Sequence, residues 1–132
     1  MITRKQISKE ARDTYVITSI QSAGIADRVV GIIPYRSQLI KVYEVHGTVA
    51  GQAGTLAIER LQSTETSGNG DHVVTGIDLT AAINTVQEGT IITTGSIHLF
   101  EAGDRVGTHI NTGSAASCAN MVVCLQFRPI DD

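Results

Sequence analysis

Apolar side chains recur at every second position of this chain from about residue 13 almost to its end, and helical spacing is scarce. Period two constrains the fold more than any other feature. Successive strand side chains point to opposite faces, so a strand with one apolar face needs a second layer to cover it. The expected strands run over residues 13–22, 29–33, 37–45, 55–61, 73–79, 90–94, 96–100, 105–110 and 121–127, which makes eight or nine. In the first of them Tyr15, Ile17 and Ile20 are the expected inward anchors, and in 55–61 Leu56 and Ile58. Pro34 and Pro129 stop two strands, because proline cannot donate to a ladder. Gly103-Asp104 reads as a hairpin turn between 96–100 and 105–110. Residues 80–86 are the one place where a short helical turn fits.

Composition points the same way. Val, Ile, Thr and Gly are abundant while aromatics make up 4% with no Trp, a mixture suited to short strands and tight turns. We therefore expect an all-β chain: a polar N-terminal arm over residues 1–12, then a single jelly-roll-like antiparallel β-sandwich over 13–132. A chain of 132 residues is long enough to bury one core without a metal or a disulfide.

Two strands are apolar on both faces. In 37–45, Leu39, Lys41, Tyr43 and Val45 share one side, while Ile40 and Val42 share the other with Gln38 and Glu44. In 121–127, Val123, Leu125 and Phe127 oppose Val122, Cys124 and Gln126. A strand of a solitary sandwich should show one polar face. Ile40, Val42, Val122 and Cys124 are therefore candidate subunit-interface residues, unless loops cover these strands.

The formal charge is −3, which argues against a general nucleic-acid-binding surface. It is unevenly spread. Arg4, Lys5, Lys9 and Arg12 face a single acid, Glu10, within residues 1–12, so the arm is +3 and the remainder −6. These four cations are candidate contacts to an acidic partner; the alternative is a solvated terminus. No apolar run is long enough to span a membrane, and no signal-peptide core follows the first residues. Cys118 and Cys124 are expected to be reduced, buried, small hydrophobes.

Chemistry-bearing constellations are sparse. His46, His72, His98 and His109 show no HxH or zinc-finger spacing and are expected at the surface or an interface. A GxSxG elbow, a phosphate loop and a dinucleotide fingerprint are absent. Neither catalysis nor a cofactor is expected. Asp104 is expected to bond backbone amides in its turn, and Arg105 to pair across a sheet. The polar loop 62–71, expected to be the most exposed, and the Gly-rich turn 47–54 are the places a receptor- or carbohydrate-binding module of a phage fibre or spike would use. Neither carries an aromatic ring on which a sugar could stack.

The second half reads Asp78-Leu79-Thr80, Asn84-Thr85-Val86-Gln87, Gly89-Thr90, Leu99, Ala102-Gly103-Asp104-Arg105-Val106-Gly107, Thr112-Gly113 and Val122-Val123-Cys124-Leu125. Over residues 73–127 this order resembles the small structural proteins that decorate or project from the heads of tailed bacteriophages. The resemblance implies a jelly-roll domain made in the host cytoplasm and repeated on the outer surface of the virion. It also implies the major capsid protein as partner, a decoration or cement role, and self-association, with a homotrimer favoured by the three-fold positions of a capsid.

Overall fold

The computed structural model describes residues 14–22 and 25–130. Among them ten strands form two antiparallel sheets that pack as a jelly-roll-like sandwich. The strands are β1 (Tyr15–Gln21), β2 (Arg28–Ile32), β3 (Ser37–Val45), β4 (Gly54–Leu61), β5 (Asp71–Asp78), β6 (Gln87–Glu88), β7 (Thr90–Ile91), β8 (Leu99–Phe100), β9 (Arg105–Gly113) and β10 (Met121–Pro129). One sheet, here sheet A, has the order β1-β10-β3-β6, with β8 also paired to β3. Sheet B has the order β2-β9-β4-β5-β7. Nearly every connection crosses from one sheet to the other; β4 and β5 form the one sequential pair within a sheet.

Between the layers lie Leu39 and Val42 of β3, Met121, Val123, Leu125 and Phe127 of β10, Leu56 and Ile58 of β4, Val73, Val74 and Ile77 of β5 and Val106 of β9. Phe127 organises the few aromatics: Phe100 meets it edge-on at 5.3 Å and Tyr15 stacks on it at 5.4 Å. At the β1/β2 end the layers come together so closely that a Cβ on Gly31 would lie 2.9 Å from two methyls of Ile17. A larger residue there would push the strands apart.

Several expectations are corrected. Gly103 and Asp104 do not close a hairpin, because β8 belongs to sheet A and β9 to sheet B; the turn carries the chain between layers. Asp104 does cap it as expected, accepting the Glu101 amide at 2.8 Å. Residues 80–86 form turns, and the helical segment among the described residues is a 3-10 turn at Thr94–Ser96. The apolar pattern of β3 does not mean two apolar faces. A bulge between the pairs Lys41/Gln126 and Leu39/Phe127 shifts the phase of the strand, so Leu39 and Val42 both point inward. Val42 is 0% exposed and has no surface to offer a neighbouring copy. Its place among the candidate interface residues is withdrawn. Ile20 is corrected in the opposite sense: it is 72% exposed.

Candidate interaction surfaces

The two sheets finish their outer faces in different ways. On sheet B, alternation puts Ala57, Glu59 and Leu61 of β4 outside, opposite the core residues Leu56 and Ile58; yet all three are buried. What covers Glu59 and Leu61 is the loop 62–70, which leaves β4 and folds back over the sheet. Glu59, fully buried, anchors it. One carboxylate oxygen accepts the Gly68 amide at 2.7 Å and the Ser67 hydroxyl at 3.4 Å, and the other accepts the Gly70 amide at 3.1 Å. Gly68 has φ +98°, a conformation that glycine adopts at little cost. Ser67 also donates to the Thr108 carbonyl, tying the loop to β9. The loop expected to be most exposed is thus spent on sealing a sheet.

Two imidazoles flank this seal. His72 on β5 and His109 on β9 lie 5.1 Å apart, centroid to centroid. His72 Nε2 is 3.8 Å from Glu59, and His109 Nδ1 is 3.0 Å from Asp27. The His109 contact is not a hydrogen bond. Asp27 instead accepts the Ile110 amide at 2.9 Å. Among the described residues, no group of three or more His, Cys, Asp or Glu side chains could hold a metal ion.

The outer face of sheet A has no such cover among the described residues. Pairing registers lay out its rows. Ile20 of β1, Val122 of β10 and Val45 of β3 stand in line, and the β3/β6 register carries the line on to Val86, just before β6. The next row is Thr18, Cys124, Tyr43 and Glu88; the third is Val16, Gln126 and Lys41. Ile20, Val86 and Val16 are 72%, 64% and 53% exposed, and the central residues are half-buried by their neighbours. Ile40, Val122 and Cys124 are half-buried and stand apart from the core cluster. Lys41 and Glu88 pair within the face at 3.7 Å.

Strand β1 supplies much of this surface because it is apolar on both sides, with Tyr15 and Ile17 packed against the core. It buries Ser19 and Gln21 and exposes Val16 and Ile20. Gln21 is accommodated inside because its amide donates to Thr108 Oγ1 at 3.2 Å and its carbonyl accepts the Ala26 amide at 3.1 Å.

At the β6 edge, a buried ion pair shapes the loop that carries Val86. His46, expected near the surface, is 0% exposed; its Nδ1 is 2.7 Å from Glu44 Oε2 and its Nε2 is 2.8 Å from the Ala81 carbonyl. Both ring nitrogens face acceptors, so the ring donates twice and carries a proton on each. Burial opposes that charge, but the bonds to Glu44 and Ala81 outweigh it and hold the pKa above the usual histidine value. Glu44 Oε1 accepts from Gln87 Nε2 at 2.7 Å, and Asn84 bonds back to the His46 carbonyl. Asp78 is held below the usual carboxylate pKa by the Thr80 hydroxyl and amide. The sequence shows Glu44-x-His46 on one strand face, but nothing local shows that Ala81 closes over it.

The cysteines divide as their positions dictate. Cys118 is buried, which pushes its thiol pKa up, while Cys124 is half-exposed on the sheet A face; both are free. An open depression of about 560 Å³ lies between Ile110 and the segment 113–119, with no charged side chain in its lining. Arg4, Lys5, Lys9 and Arg12 lie outside the described residues.

No protein-family model and no curated protein matches the chain. Solved structures do. A chain of the capsid of Ralstonia phage GP4 superposes with a TM-score of 0.61 at 12% identity, covering 90% of this chain and 84% of that one. A chain of infectious bursal disease virus, Gt strain, aligns over 92% of this chain and 36% of its own length at 12% identity, but with a TM-score of 0.30 it adds no argument. At such identities the likeness is one of fold: this chain has the β-sandwich found in a phage capsid.

Proposed function

We propose that this chain is a bacteriophage virion structural protein that decorates or cements the outer surface of the head by binding the major capsid protein. The observation that carries the reading is the fold shared, over most of both chains, with a chain of a phage capsid. A sheet face with exposed aliphatic side chains, left uncovered by the described residues, supports it, since large exposed apolar patches mark interaction sites. The protein is made in the host cytoplasm and acts on the particle as a homo-oligomer, with a trimer favoured because oligomers close with symmetry and capsids offer three-fold positions. Its basic arm, Arg4, Lys5, Lys9 and Arg12, is proposed to reach the shell. The work is done by binding, without turnover.

The test is co-purification with intact particles, followed by stripping. Stoichiometric recovery on heads is expected, and stripped heads should lose resistance to heat or osmotic shock. Full resistance after stripping would remove the cement role; absence from particles would remove the virion role.

A further inference from the structure

We infer that the outer face of sheet A is the surface through which one copy of this chain meets another. The inference rests on the homo-oligomer reading above and names its surface. The face spans β1, β10, β3 and the edge of β6 and is rich in β-branched side chains. Its leading row, Ile20, Val122, Val45 and Val86, crosses the whole sheet. Sheets with such faces pack against one another about 10 Å apart through interdigitating side chains.

Two observations select a second copy as the occupant. The first is charge. The chain as a whole is −3, and two copies meeting at random bring like charges together. Within these three rows, however, the formal charges are Lys41 and Glu88, one of each sign, already 3.7 Å apart. Over these rows the two charges cancel, and the face can exchange that ion pair with its own copy, whose matching rows carry the same Lys41 and Glu88. The second is strand β1, where Ser19 and Gln21 are buried, the latter with polar partners, while Val16 and Ile20 stand in solvent. Tyr15 and Ile17 keep the inner face of β1 apolar as well, so the strand carries apolar side chains on both faces, a pattern that suits a molecule whose outside becomes an inside on association. Residues of the two middle strands, Cys124 and Tyr43, then lie inside the contact.

The experiment is sedimentation velocity on the full chain over a range of concentrations, for the wild type and for Ile20→Asp, Val86→Asp and the double variant. Both positions are more than half exposed, so the fold should tolerate the change. Circular dichroism and thermal melting will verify this. A wild-type oligomer is expected, with self-association weakened roughly a hundredfold or more in the double variant, because each buried unpaired carboxylate costs several kcal/mol. Reaction of Cys124 with a maleimide should be slow in the oligomer and fast in the double variant. An oligomer that survives the double substitution would overturn this surface and leave self-association standing. A monomeric wild type that still binds heads would overturn the inference while leaving the virion role intact.

Discussion

The outer faces of the two sheets solve the same problem in opposite ways. Sheet B folds its own β4–β5 loop back over itself and fixes it with the buried carboxylate of Glu59, whereas sheet A leaves Ile20, Val16 and Val86 in solvent. One face is finished by a loop of its own sheet; the other is left uncovered by the described residues. The difference teaches where to look for stability and where to look for assembly. Substitutions on the sheet B face should damage folding, and those on the sheet A face should damage association.

Glu59→Ala should give the largest effect on folding. It strands the amides of Gly68 and Gly70 under the loop, and a loss of about 3–5 kcal/mol is expected in urea unfolding, together with faster amide exchange in residues 62–70. A loss below about 1 kcal/mol would mean that the loop covers the sheet without being held by this side chain.

His46 lies between the two regimes, since it is internal yet shapes the Val86 edge of the open face. Its folded pKa is raised, while an unfolded histidine titrates near about 6.5. The stabilisation is therefore full below that pH and is lost as pH rises through the folded value. Melting temperature should fall across that window in the wild type and much less in Glu44→Gln, where the carboxylate that favours the charged ring is gone. A wild-type profile as flat as the variant's would contradict a doubly protonated ring. Ile20→Asp should give the smallest effect on folding, within about 0.5 kcal/mol, as expected for an exposed position. A larger loss would show that this face contributes to the isolated fold.

The sequence carried the strands better than their partners. Period two placed β3 at 37–45 and β10 at its observed start, because half-buried strands leave that signature locally. Pairing is another matter. Tyr15 lies opposite Phe127, and no local pattern encodes a neighbour so distant in the chain. For the same reason the Gly103-Asp104 turn looked like a hairpin when it is a crossing between layers. Phase failed in two instructive places. The bulge at Ile40 turned Val42 inward, and bulges leave no hydropathy signal; in β1 Tyr15 and Ile17 face the core as expected, but the same phase then falls on Ser19 and Gln21, so apolarity misplaced Ile20. Of the candidate interface residues, Ile40, Val122 and Cys124 were legible from strand alternation, while Ile20, Val45 and Val86 joined them only once registers linked four strands. The loop 62–70 read as exposed because its residues are polar, but polar atoms also hydrogen-bond a buried carboxylate.

The most direct measurement is hydroxyl-radical footprinting of the free and the self-assembled protein, with oxidation read residue by residue. The account predicts protection on assembly at Ile20, Tyr43, Val122 and Cys124, with the sheet B loop around Thr66 and Asn69 unchanged. Equal oxidation of the sheet A face in both states, or protection confined to the sheet B loop, would contradict it.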